Sequence, residues 1–198
     1  MNLSEMRARL RRDLHDEAPG QQRWTDAELD RHLQRAVRET SLAIPREAVA
    51  ELTAPGGRQL DISPLADLVR VEAVEYPVGL FPPSLVPFSL WGSSLTILGD
   101  VFPRPGEQVR IYYGALHRLE EAHSTLPQAL EELVLLGAAA YAALEWAGYA
   151  ADRINVGGEE VWQRFLTWGR EMLSQFRQGL QAQSRRSPRT RRLQGGAP

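Results

Sequence analysis

His117 and His123, with Glu120 and Glu121 between them, form the densest set of metal-ligating side chains in the chain. The two histidines do not stand at the i, i+4 spacing of a helical metal pair, and the segment is polar and not helical in pattern. Solvated residues of a surface connection are the plainer reading. Glu145 interrupts an apolar run beside Trp146, where an isolated buried carboxylate would be a candidate acid. The alternatives are an ion pair with Arg153 or Arg164, or an outward-facing position. Ser93-Ser94 has no nucleophile-elbow context, and the glycine pairs Gly56-Gly57 and Gly157-Gly158 lack dinucleotide spacing. The chain has no cysteine, which excludes disulfides, thiolate zinc sites and cysteine nucleophiles. All 23 basic residues are arginine, so lysine Schiff bases and a P-loop lysine are excluded as well. We therefore single out no catalytic residue, metal site or cofactor; an enzyme using Glu145 or the His117–His123 segment is the sharper reading these residues leave open.

The elements that would carry any site follow from periodicity. At 198 residues the chain can bury one good core, so a single domain over 1–183 is expected. Asn2 and Glu5 stand at capping-box spacing before Leu3, Met6, Leu10 and Leu14, predicting a helix over 3–17 that ends at Pro19-Gly20. Trp24 before Thr25-Asp26-Ala27-Glu28 is a second capping box, with Leu29 placed for a hydrophobic staple, and predicts a helix over 26–44. Residues 48–114 then change period. Val49–Thr53 and Arg58–Ile62 flank Pro55-Gly56-Gly57 and read as a hairpin. Leu68–Tyr76 reads as a longer strand, either bulged or covered on both sides near its end. The segment from Leu80 to Pro87, with Pro82 and Pro83, reads as extended loop. Phe88–Trp91 and Leu95–Leu98 form another hairpin, and Val109–Tyr113 a last strand.

Two long helices follow, predicted over 127–151 and 159–182. The first opens after Ser124-Thr125, with Gln128 completing a capping-box spacing. It has no charged residue between Leu133 and Leu144, which is short of the roughly 20 apolar residues a bilayer requires, so it reads as a buried helix. Its glycine and alanine content makes it thin. The second is thick, with Val161, Trp162, Phe165, Trp168, Met172, Phe176 and Leu180 at helical spacing. The fold class is thus α+β: about four helices, with a β-rich insertion between helices two and three.

Charge divides the chain. Residues 1–183 carry 18 arginines against 25 carboxylates, whereas Arg185, Arg186, Arg189, Arg191 and Arg192 follow with no acid among them. The stretch 184–198 has one large apolar residue, Leu193, and is expected to be disordered and basic, suited to phosphate or carboxylate surfaces. Nothing at the N-terminus resembles a signal peptide or membrane anchor, which points to synthesis in a cytoplasm.

Four stretches in this order resemble the tailed-phage head-tail connector (adaptor, neck) family. They are Arg23-Trp24-Thr25-Asp26-Ala27-Glu28-Leu29; the insertion with Val71-Glu72-Ala73-Val74-Glu75-Tyr76-Pro77 and Phe88-Ser89-Leu90-Trp91-Gly92; Leu126-Pro127 through Tyr141-Ala142-Ala143-Leu144-Glu145-Trp146; and Asn155-Val156-Gly157-Gly158-Glu159-Glu160-Val161-Trp162. The resemblance implies a non-enzymatic structural virion protein at the head-tail junction. It implies a homo-oligomeric ring, a dodecamer, that docks on the portal, receives a downstream neck or tail protein and lets DNA pass without sequence-specific binding. On this view Arg185, Arg186, Arg189, Arg191 and Arg192 dock the portal, and Phe81, Pro82, Pro83 and Trp91 make ring or tail contacts. No membrane is involved, and assembly takes place in the host cytoplasm. The alternative is a DNA-binding accessory protein that grips phosphates with the arginine tail and the arginine face of helix one.

Overall fold

The structure is a computed structural model that describes residues 1–151 and 161–186. Four helices and six strands run in the order α1 (Leu3–Asp13), α2 (Asp26–Ala43), β1 (Arg46–Thr53), β2 (Gln59–Asp61), β3 (Leu68–Glu75), β4 (Phe88–Trp91), β5 (Ser94–Ile97), β6 (Gln108–Ala115), α3 (Gln128–Ala151) and α4 (Val161–Arg186). The class is α+β, with the strands inserted between α2 and α3. Two compact units result, one from Met1–Ile44 with the chain from His117 through α4, the other from Pro45–Leu116.

In the helical unit both N-terminal capping boxes form: Asn2 with Glu5, and Thr25 with Glu28. Helix α1 stops earlier than Pro19-Gly20 suggested. The Asp16 amide donates to the Arg11 carbonyl and the His15 amide to the Arg12 carbonyl, while His15 takes φ 50°. This is a Schellman stop with histidine in the position glycine usually fills, so composition did not advertise it. Asp16, 2% exposed, then accepts from the Arg11 guanidinium at 2.7 Å and the Arg23 amide at 2.6 Å, tying the α1–α2 connection. The α3 start also differs from the expected box. The Thr125 hydroxyl accepts from the Arg118 amide and the Ser124 hydroxyl from the Leu126 amide, so both are spent on the preceding turn.

Helices α3 and α4 interdigitate in both directions, not as a thin helix against a thick one. A Cβ on Gly137 of α3 would lie 2.9 Å from the Phe176 ring, while Cβ atoms on Gly169 and Gly179 of α4 would lie 2.9 and 2.5 Å from Leu144 and Leu133. Each glycine is the hole for a side chain opposite. Phe176, Met172 and Leu180 are buried as expected, but Trp168 is 37% exposed because the buried row passes through Gly169 instead. The stretch Gln128–Ala150 is long and apolar enough to cross a membrane, yet 61% of its most apolar window is buried, with Val134, Ala138, Ala142 and Ala143 in the helical core. Helix α4 runs on to Arg186, four residues past the predicted 182. Gln181 to Arg186 contains no breaker before Pro188, and arginines in a last turn suit the helix dipole.

The strand unit holds two antiparallel three-stranded sheets, ordered β1-β6-β3 and β2-β5-β4. The expected β1–β2 hairpin does not form. β1 pairs instead with β6 over eight residues, from Arg46 opposite Ala115 to Thr53 opposite Gln108, and three-residue β2 pairs with β5. The Gly56 and Gly57 turn, at φ 103° and 85°, leads the chain away to the other sheet. The β4–β5 hairpin forms as read, closed by Gly92 and Ser93. β3 is bulged against β6 at two places, and Ala73, Val74 and Glu75 are consecutively buried, so both readings of that strand hold. Leu60, Val74, Leu95, Ile97, Val109 and Ile111 form the core of this unit.

Candidate protein interface

The residues singled out for chemistry do not converge. His117 is 7% exposed, not a surface residue: its Nδ1 faces the Thr125 carbonyl and its Nε2 the Ile44 carbonyl, each at 3.1 Å. Its amide also donates to the Ser41 hydroxyl, which holds it inside the helical unit. His123 instead pairs with Glu120 at 3.3 Å. Among the described residues no group of three or more His, Asp and Glu is placed to hold a metal. Glu145 is half exposed and takes Arg31 at 2.5 and 2.6 Å on its two oxygens, with His32 Nε2 at 3.4 Å. The expected partner Arg164 is thus replaced by a residue of α2, and Arg153 lies outside the described residues.

What the strand unit does present is uncovered apolar surface on well-anchored turns. Tyr76 and Val86 donate backbone bonds of 2.9 Å to the carbonyls of Ser84 and Val74, closing the base of the loop between them. Buried Glu75 holds its entry. One carboxylate oxygen accepts from the Gly79 amide at 2.9 Å, the other from the Tyr112 hydroxyl at 2.6 Å and from Arg110 at 3.1 Å. Burial pushes this carboxyl up, but Tyr112, Gly79 and the Arg110 charge together outweigh it and hold the group below the usual carboxylate range. At the far end of the anchored loop Phe81 is 99% exposed, next to exposed Leu80, Pro82 and Pro83. Trp91, 89% exposed, precedes the two-residue turn of β4–β5. Gly92 has φ 58° and Ser93 does not share a positive φ, as in a II′ hairpin turn with glycine first.

Phe102 and Val101 add to the exposed set, with Arg58 stacked over the Phe102 ring at 4.7 Å from its centroid. These two were not anticipated, because the segment reads only as turn-rich. The named contact residues Phe81, Pro82, Pro83 and Trp91 lie on two separate turns of one unit. Of the basic residues, Arg185 is exposed near the end of α4 and Arg186 is the last helical residue. Arg189, Arg191 and Arg192 lie outside the described residues.

A model of the family described as SU10 adaptor protein matches residues 1–194. The chain belongs to this adaptor family. The connector resemblance carried by its motifs therefore holds. Among solved structures, the adaptor is similar to a chain in the neck of a native GTA particle computed with C12 symmetry, at 24% identity over 71% of this chain and 75% of that one, TM-score 0.30. It is similar also to a chain in the virion of a native gene transfer agent particle, at 19% identity over 84% and 87%, TM-score 0.32. No curated protein matches. Family membership rests on the sequence match alone.

Proposed function

We propose that this adaptor is a non-enzymatic structural protein of a phage virion, assembling as a closed ring of twelve copies at the head-tail junction. The observation that carries the reading is the family match over residues 1–194. The ring docks on the portal through Arg185, Arg186, Arg189, Arg191 and Arg192 and offers Phe81, Pro82, Pro83 and Trp91 to neighbouring copies or to the next neck or tail protein. The acidic balance of residues 1–183, 18 arginines against 25 carboxylates, suits a conduit from which DNA phosphates are repelled. Assembly takes place in the host cytoplasm.

The DNA-gripping alternative loses support from α1. Arg7 is bidentate to Asp30 at 2.6 and 2.9 Å, Arg9 pairs with Glu132, and Arg11 pairs with Asp16 and Asp26 at 2.7 Å. Those charges are already matched by carboxylates. Electron microscopy of the purified protein with and without portal is the test: closed rings are expected when portal is present, and their absence refutes the assembly. Deleting Ser184–Pro198 is expected to abolish portal binding with the fold intact, and unchanged binding would refute the docking role of the tail.

A further inference from the structure

We infer that the Phe81-Pro82-Pro83 turn of one copy inserts into a pocket on the helical unit of the next copy, a pocket walled by Trp24, Trp146 and Tyr149. The inference rests on the ring reading and supplies its contact. The pocket has a volume of about 560 Å³, inside the ~300–1,000 Å³ range of ordinary ligand sites and ample for a phenylalanine with a flanking proline. Three aromatic rings build it: Trp24 stands edge to Trp146 at 6.0 Å, and Tyr149 is tilted on Trp146 at 5.4 Å.

The polar groups of the pocket select the occupant. Its two carboxylates are already engaged, Glu28 in the capping box with Thr25 and Glu145 with Arg31. Arg23, which also lines it, is not. The Arg23 guanidinium lies 6.0 and 5.7 Å from the Trp146 and Phe165 ring centroids and has no ion pair among the described residues. The site is thus aromatic with a cation beside the rings, and its complement is an apolar, aromatic segment that carries acceptors.

The strand unit carries such a segment. Pro82 and Pro83 offer carbonyls and no N–H, so every main-chain polar group they present is an acceptor. The Phe81 ring offers a negative π face to Arg23 and an edge to the tryptophans. Aromatic-lined grooves are a recurrent way of holding proline-containing segments. Phe81 is 99% exposed, and the contact inferred is one made to another copy. A turn of one face entering a pocket of a different face is a heterologous contact, the kind that closes into a ring when repeated.

The test exploits the absence of native cysteine. Leu80→Cys, beside the turn, and Gln22→Cys, at the pocket rim, are placed in separate preparations, mixed under assembling conditions and treated with a short bismaleimide, so that a link between the two introduced thiols joins two copies by construction. A covalent dimer mapped by mass spectrometry to positions 80 and 22 is expected from the mixture alone. Phe81→Ala, at a position too exposed to affect folding, is expected to weaken assembly by about 10-fold or more, as for a central interface aromatic. Arg23→Gln removes the cation that faces the rings and should weaken assembly about 2- to 10-fold with thermal stability retained. Rings that form normally with Phe81→Ala and without the mapped link overturn this contact while leaving the ring reading intact. Failure of the unsubstituted protein to assemble with or without portal overturns both.

Discussion

Adding one methyl group at Gly137 isolates the packing of α3 on α4. The new Cβ would sit 2.9 Å from Cε2 and Cζ of Phe176 and 3.0 Å from Cδ2. Carbon contacts are optimal near ~3.5–4.0 Å, so the ring or the helix must yield by roughly 0.5–1 Å. Phe176 is fully buried, and its ring meets that of Tyr141 edge on at 6.5 Å, which removes the easy direction of retreat. Overpacking of this kind costs about 1–3 kcal/mol, against which alanine returns up to about 1 kcal/mol of helix propensity over glycine. Gly148 on the same helix separates the two effects, since a Cβ there meets nothing within 4 Å. Gly148→Ala should therefore stabilise by about 0.5–1 kcal/mol. Gly137→Ala should be about 1–3 kcal/mol less stable than Gly148→Ala, a spread of several degrees in Tm for a chain of this size. Thermal and urea unfolding of the two single variants beside the parent measures the difference. Equal shifts of the same sign would refute the interlocked packing of Gly137 and Phe176.

Glu75→Gln removes the charge that Arg110, Tyr112 and Gly79 converge on, and should destabilise the strand unit by about 1–3 kcal/mol. Because this carboxyl is held below its ordinary value of 4.5 in the folded state, its contribution is present above that value and is lost as pH falls through the lower folded value, so the variant should show a flatter acid limb in Tm against pH. Burial, with Glu145 opposing it, holds the His32 imidazole below its ordinary value of 6.5. The unfolded chain therefore takes up the proton first, and this part of the stability is lost as pH falls below about 6.5; His32→Gln should reduce that slope in the same measurement. His15→Gly relieves the left-handed residue, φ 50°, at the end of α1 and should raise stability by about 0.5–1 kcal/mol in urea unfolding.

Local signals predicted local structure, and failed where long-range partners decided. The capping boxes at Asn2 and Thr25 and the Gly92 turn each act within four residues, and each forms as read. The Pro55-Gly56-Gly57 turn is an equally good local signal, but β6 offered β1 eight paired residues where β2 had three. A nearby partner lost to a longer one. The same limit hid Glu75 and His117, polar residues that look solvated in sequence and are buried because distant segments satisfy them, Arg110 and Tyr112 in the first case and Ser41 and the Ile44 carbonyl in the second. Trp168 failed for a subtler reason: an aromatic stripe read at helical spacing does not reveal that a glycine one position on takes the buried row.

Exposure of Phe81 and Trp91 is harder to attribute to local accident. Turns that merely connect strands are ordinarily polar and variable in conformation, whereas these two are pinned. Buried Glu75 spends one of its bonds on the Gly79 amide in the approach to Phe81, and the Ser93 carbonyl beside Trp91 accepts from the Ile62 amide at 2.9 Å. Burying an aromatic side chain stabilises by about 1.5–3 kcal/mol, a gain this unit forgoes twice while ordering the backbone beneath. Under the proposed contact role, the conformational entropy of the two turns would already be spent before a partner arrives, and more of the aromatic burial would appear as affinity. Loosening the turn without touching the ring should then weaken assembly through the approach to Phe81. Gly79, at φ 88° with its amide on Glu75, is the place to do it. Gly79→Ala is expected to reduce ring formation by electron microscopy while Phe81 stays in place, and unchanged assembly would show that the turn need not be preformed.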